Sequence, residues 1–417
     1  MQFYLPDAQD LVDPNFDFVR EERGIDRMRH RTDAYAHELF ERPPYDGMLV
    51  SKAIVKTRYT LAQQQRLLRL GVRKFLRLDE SIGSKDMRVI GDCGAFSYRD
   101  EVEPPYTVEE VVQFYDQAAF TYGISVDHVI LAFCPDWDKR GAKKDPAAAE
   151  AHRRRELTLT LAADFMKKSS KCRFSPMGVA QGWSPASYSD SVVQLQKMGY
   201  DYIAMGGMVP LKTDEIMQVM EAVSQVRKGK TRFHLLGVTR LDRILDLTRY
   251  GAASFDSTAP LLQAFKSDKD NYQTKSTNYI ALRIPQVDAN AKLKARILAG
   301  EISQSTAIRL ERGALTALRK YAETDTPLDE VLQLLMQYTL LFDETIQGSR
   351  IKTEAREQQY RKTLLARPWE NCPCEVCQKV GHEVIIFRGA ERNRRRGFHN
   401  LDNFYRRLLA TDTGPVN

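Results

Sequence analysis

The chain has 417 residues, 43% hydrophobic and 28% charged side chains, and a formal net charge of +7. That composition belongs to ordinary globular proteins, and the length suits one barrel-sized domain with an attachment or two to three smaller domains. No apolar run approaches the roughly 20 residues of a membrane span, and the acidic start MQFYLPDAQDLVD lacks a basic segment followed by an apolar one, so neither membrane insertion nor secretion is expected. Three of the six cysteines are scattered (Cys93, Cys134, Cys172) and three are clustered (Cys372, Cys374, Cys377). This reads as a metal pattern in a reducing compartment, not a disulfide framework, and a cytoplasmic protein is expected.

Residues 1–47 show no clear rhythm and are read as an N-terminal extension. From about Met48 to Pro260 one unit recurs: a short apolar run, a small or polar turn, then a longer amphipathic stretch. The runs are MLVSKAIV, MRVIGDCGAF, HVILAFCPD, SPMGVAQGW, YIAMGGMVP, FHLLGV and AASFDST. Between them lie helical patterns such as SYSDSVVQLQKMG and DEIMQVMEAVSQVRKG. Continuous apolar strands alternating with helices indicate a parallel sheet covered on both faces. Seven or eight such units favour a closed α/β (β/α)8 TIM barrel over residues 48–287. No glycine-rich dinucleotide fingerprint follows the first run, which speaks against an open doubly wound sheet.

Asp92, Asp136, Gln181, Gly206, Gly207, Gly237 and Asp256 each fall at or just past the end of an apolar run. In a barrel such positions converge on the C-terminal mouth, where active sites are built. One such aspartate would be an ordinary cap; six runs in register read as a site.

Residues 288–367 read as a helical insertion. AKLKARILAG ends in a C-capping Gly300, SQSTAIRLERGALTALRKYAE follows, and TPLDEVLQLLMQYTLLF opens with Thr326 as N-cap and Pro327 at the first helical position. The remaining segment, 368–417, carries Cys372-x-Cys374-x2-Cys377. Thiolates spaced so closely can wrap one tetrahedral ion, with Zn2+ the default for a soft, redox-inert site. A zinc deaminase would need an upstream His-x-Glu, which is missing. The fourth ligand is His382 or His399, and local spacing alone favours His382. Between Arg350 and Ala410 fourteen Lys/Arg face seven Asp/Glu. This excess points to contact with a phosphate backbone, with the 288–365 helices shaping the groove.

In order, GDCGAF, VAQGW, MGGM, HLLGV, SFDST and CPCEVC…HNLDNFY resemble the motifs of the tRNA-guanine transglycosylase superfamily, over more than half of the chain. The resemblance implies a zinc-stapled TIM barrel that exchanges guanine for another base at C1′ of a sugar. It implies Asp256 as nucleophile and Asp92 as the general acid/base. Gln181 and the Gly206-Gly207-Met208 turn would bind the base. The base-reading aspartate would be Asp136, with Asp138 its rival. The structural zinc would be held by Cys372, Cys374, Cys377 and His399, leaving His382 as an ordinary exposed histidine.

There are departures. Cys93 and Ala95 replace a serine and a glycine, STAP replaces the Pro-Thr-Arg that follows the nucleophile, and the link to the cysteines is much longer. An intact base-exchange site with a rebuilt nucleic-acid surface resembles the DNA-modifying, DpdA-type DNA-guanine transglycosylases. That branch implies DNA as polymer, a 7-deazaguanine such as preQ0 as incoming base, and room for accessory modification proteins. The alternatives are a tRNA enzyme with an unusual insertion and a non-catalytic nucleic-acid binder; retention of both Asp92 and Asp256 speaks against the latter.

Overall fold

A computed structural model describes residues 1–80, 82–266, 269–324 and 326–412. Eight parallel strands close into a barrel in sequence order: β1 (Gln2–Pro6), β2 (Gly47–Ser51), β3 (Arg88–Asp92), β4 (Tyr122–Ile124), β5 (Ser175–Ala180), β6 (Tyr202–Met205), β7 (Arg232–Leu235) and β8 (Ala252–Asp256). The closed α/β barrel is therefore as expected, but two strands differ from the sequence reading.

The first strand lies inside the expected extension. Gln2–Pro6 pairs with both β2 and β8 and closes the barrel, with Tyr4 opposite Gly47 and Asp256. It is five residues long, and the chain runs through residues 7–46 before β2, so no rhythm announces it. The fourth strand is Tyr122–Ile124 rather than the HVILAFCPD run. Past Ile124 the chain bonds to β5 and to the turn after it only singly, Ser125 N–H to Met177 O (2.8 Å) and Cys134 N–H to Trp183 O (2.7 Å), without a strand ladder. A short apolar run reads equally well as a strand or as buried irregular chain.

Side chains alternate in and out along each strand. Tyr4, Leu49, Ile90, Tyr122, Ile124, Met177, Val179, Tyr202 and Ala204 form the barrel's filling. Toward the strands' N-terminal ends, Arg88 Nη1 donates to the Tyr122 hydroxyl at 2.6 Å, Tyr122 meets Tyr202 edge-on at 5.3 Å, and Arg232 covers the Tyr202 ring at 4.3 Å. The same alternation leaves Asp92, Gln181, His234, Ser254 and Asp256 facing inward at or near the opposite end. Helices return the chain between strands, several with side-chain caps: Thr107 and Glu110 form a reciprocal box on Val108–Gln117, and Asp145 with Pro146 opens Pro146–Ser169. No described helix is long and apolar enough to cross a membrane.

The chain divides into two compact units. One comprises residues 1–9, 45–258 and the chain from 407; the other comprises 10–44 and 259–406. The N-terminal excursion, the helical segment and the cysteine segment thus form one body, not an extension, an insertion and a separate subdomain. Its helices Ala291–Leu298, Gln304–Glu323 and Arg350–Ala366 are capped by Asn290, Ser303 and Ser349, while Leu328–Phe342 has Pro327, not Thr326, at its N-cap.

The basic run of this unit lies inside it. Arg392 Nη1 reaches Glu21 at 2.7 Å and its Nε reaches Glu383 at 2.6 Å. Arg388 pairs with Glu311 at 2.7 Å, and Arg395 with Glu391 at 2.7 Å. Arg396 is fully buried and donates to the carbonyls of Val384, Ile386 and Ala264. These arginines are the interior of the unit, which overturns their reading as a phosphate-contacting patch. Glu21 and Glu311 lie far outside residues 350–410, so a charge count over that window could not pair them with these arginines.

Candidate active site and metal centre

Asp92 ends β3, opposite Ser51 of β2. Gly94 then turns the chain at φ +88°, where a Cβ would meet Ser51 Oγ at 2.5 Å, so glycine is required. The turn Ala95–Tyr98 brings the Tyr98 hydroxyl 3.0 Å from the buried Cys93 Sγ and leaves Phe96 half exposed, with Arg99 over its ring.

Gln181 follows β5, and each end of its amide makes one hydrogen bond. Its Nε2 donates to Asp127 Oδ2 at 2.7 Å, and its Oε1 accepts from Ile130 N–H at 3.1 Å. The Gly206–Gly207 turn after β6 packs onto this amide: a Cβ at Gly206 would lie 2.2 Å from Gln181 Nε2, and one at Gly207 would lie 2.3 Å from Ile130 O. Met208 is buried beyond the turn. Here again the backbone approaches too closely for any side chain.

Asp256 ends β8. Its Oδ1 accepts from Gly237 N–H at 3.1 Å and lies 3.2 Å from His234 Nε2. Asp92 sits within the field of this carboxylate. Burial first, then the negative charges of Asp127 and Asp256, push Asp92 up to about 7, while the Gly94 and Cys93 N–H groups partly offset that rise. Burial likewise pushes Asp127 up to about 6, with Cys93 and Gln181 opposing. The Cys93 thiol is pushed well up by burial and the nearby carboxylates. Burial and neighbouring carboxylates thus favour the protonated form of Asp92, the form a proton donor needs.

The structure brings Asp92, Gln181, Gly206, Gly207, Gly237 and Asp256 to strand ends of one barrel, as the sequence suggests. It does not bring Asp136. That residue lies on a surface turn, 77% exposed, paired with Lys139 at 2.6 Å. Asp138 is likewise spent on Trp183 Nε1 at 2.9 Å. Because β4 ends at Ile124, the carboxylate against Gln181 is Asp127. Two residues escaped sequence reading: Asp127, masked by the misplaced strand, and His234, which reads as a core position. The His-Leu-Leu-Gly order, placing a polar residue just before a strand-end leucine, is the only signal for the latter.

In the second unit, Cys372, Cys374 and Cys377 Sγ lie 3.3, 3.5 and 3.4 Å from His399 Nδ1. All four donor atoms lie within 4.8 Å of one another. Nε2 of His399 donates to Gln273 O at 2.7 Å, which leaves Nδ1 as the lone-pair nitrogen facing the sulfurs. Tyr272 stacks on the imidazole at 4.0 Å. Three thiols and an imidazole at this spacing fit a tetrahedral metal ion. His382 lies outside the cluster, 3.8 Å from Glu383, and is mostly buried rather than exposed.

A closed parallel barrel with Asp92 and Asp256 at the C-terminal ends of its strands has the architecture of an α/β-barrel enzyme. No family model matches the chain. A DNA-guanine transglycosylase of Salmonella montevideo is 45% identical to it, over 99% of this chain and 97% of that protein. The chain belongs to the DNA-guanine transglycosylase family, and it is a glycosyltransferase.

Proposed function

We propose that the enzyme exchanges guanine in DNA for a 7-deazaguanine base such as preQ0 through a covalent aspartyl–sugar intermediate. The observation that carries this reading is the carboxylate pair: Asp92 pushed up to about 7 beside an Asp256 anchored through one oxygen. Asp256 attacks C1′, and the departing guanine takes a proton from Asp92. The incoming base gives its proton back to Asp92 as it displaces the ester. Gln181, through its second Nε2 hydrogen, the remaining lone pairs of Asp127 and the Gly206–Gly207 backbone would supply hydrogen bonds of both senses to the edge of a guanine-like base. Asp127 takes the base-reading place first assigned to Asp136. Met208 lies under the base-binding turn. The half-exposed Phe96 ring offers a face on which the base can stack. A base within a duplex must first be extruded, at a cost of about a few kcal/mol.

The Cys372–Cys374–Cys377–His399 cluster would hold a structural Zn2+. With four protein ligands the ion has no open position for water and contributes folding energy rather than chemistry.

The covalent step is tested by denaturing the enzyme during turnover on a duplex oligonucleotide and digesting it. The expected result is a sugar-linked peptide containing Asp256, absent from Asp256→Asn, which should also lose exchange. Full exchange by Asp256→Asn would exclude this nucleophile.

A further inference from the structure

Beyond the residues that the sequence singles out, His234 touches the attacking carboxylate directly. It is fully buried on β7. Its Nε2 lies 3.2 Å from Asp256 Oδ1, and its Nδ1 lies 2.6 Å from Ser254 Oγ. Ser254 also shares a hydrogen bond with the Tyr202 hydroxyl. The rings of Tyr4 and Tyr202 stand edge-on to the imidazole at 5.9 and 6.5 Å, which confines its orientation. His234 and Ser254 are register partners on neighbouring strands, and Asp256 is the next inward residue of β8.

A carboxylate only accepts, so Nε2 carries the hydrogen toward Asp256. Nδ1 then accepts from the Ser254 hydroxyl, and the Ser254 oxygen accepts from Tyr202. This assignment satisfies every member of the chain, and hydrogen positions are assigned by such networks. The Gly237 N–H converges on the same Oδ1 at 3.1 Å. Two donors thus draw electron density to one oxygen of the carboxylate and leave the other the better nucleophile.

We propose that His234 is a positioning residue of the glycosyl transfer: with the Gly237 N–H it holds Asp256 Oδ1, and so selects Oδ2 as the attacking atom. The proposal rests on the reading of Asp256 as nucleophile. In the first step an Oδ2 lone pair forms the bond to C1′. The C1′–N bond breaks with its electron pair going to guanine, which takes the Asp92 proton. Oδ1 becomes the ester carbonyl oxygen, still held by both donors. In the second step the incoming base's nitrogen bonds C1′ and its proton passes to Asp92. The C1′–Oδ2 electron pair returns to Asp256, where two fixed donors meet the re-forming charge. Loss of the His234 donor therefore slows breakdown of the ester more than its formation.

The test compares His234→Phe, which removes the donor, with His234→Gln, which keeps an N–H near the Nε2 position. Steady-state exchange on duplex DNA and the fraction of enzyme trapped as adduct are both measured. His234→Phe should lose about tenfold or more in kcat, with kcat/KM for DNA nearly unchanged and a larger adduct fraction, while His234→Gln stays within about threefold of the parent. A folded His234→Phe with parental kcat and adduct fraction would overturn the proposal, as would equal losses in Phe and Gln. If His234→Phe does not fold, Ser254→Ala decides. Removal of the Nδ1 partner should lower kcat several-fold at nearly constant kcat/KM for DNA, and parental kcat there also overturns it. Asp256→Asn reports separately on the underlying reading: exchange retained in that variant contradicts the nucleophile, whatever the His234 variants do.

Discussion

Asp92 is buried against two other carboxylates, and its behaviour with pH follows from that placement. A carboxyl pushed up to about 7 remains protonated through much of the physiological range and can hand a proton to a departing base. Exchange should accordingly fall on the alkaline side with an apparent pKa near 7 that belongs to the coupled cluster. Asp92→Asn should lose that limb together with about 10²–10⁴ of the rate, as measured by kcat/KM profiles of both proteins. Stability has the matching sign. The folded state keeps protons on Asp92 and Asp127 that the unfolded chain releases near its ordinary carboxylate value of 3.8, so these two groups make stability fall as pH rises from there toward 7. Melting temperatures of Asp92→Asn should depend less on pH over that window than those of the parent; an unchanged slope would count against the burial account. At this scale Asp92, Gln181 and Asp256 were legible because each ends an apolar run. Asp127 and His234 were not. The first needs the true end of β4, and the second is a polar residue whose partners come from neighbouring strands.

The loop between β4 and Pro146–Ser169 is the element that changes most between expectation and structure. Its apolar part runs beside β5 and delivers Asp127 to Gln181. Its distal part is tied down by Trp183 Nε1, two residues past Gln181, which donates to Asp138 at 2.9 Å. It then exposes Lys139, Arg140, Lys143 and Lys144, of which Lys139 pairs with Asp136. With Arg388, Arg392, Arg395 and Arg396 buried in the second unit, this loop is an exposed basic feature on the barrel's own site-bearing edge. Contact between this loop and phosphates beside an extruded nucleotide is a testable expectation. Replacing Arg140, Lys143 and Lys144 by alanine should weaken DNA binding and make the slope of log K against log salt shallower by about one for each phosphate ion pair removed. Binding measured from low to moderate salt would show this, and an unchanged slope would place the phosphate-binding surface elsewhere.

For the whole molecule, the barrel was legible as a rhythm because parallel strands buried on both faces read as continuous apolar runs. Its boundaries were not: β1 is parted from β2 by residues 7–46, outside the repeating unit, and β4 has three residues, too few for periodicity to register. The second unit resisted for a different reason: Glu21 meets Arg392 across more than three hundred residues. The cysteine cluster was legible from spacing, and the histidine only through resemblance. Metal removal should separate the two histidines' roles. His399→Ala should lose bound zinc and melt several degrees lower, whereas His382→Ala should keep its zinc; equal zinc content in the two variants would contradict the ligand set.

The central claim is base exchange in DNA at Asp256, and polymer choice tests it most directly. The enzyme is incubated with labelled preQ0 or guanine and either duplex DNA or tRNA, and label is counted in each polymer. The account predicts label in DNA, none in tRNA, and none in either with Asp256→Asn. Label appearing only in tRNA would contradict it.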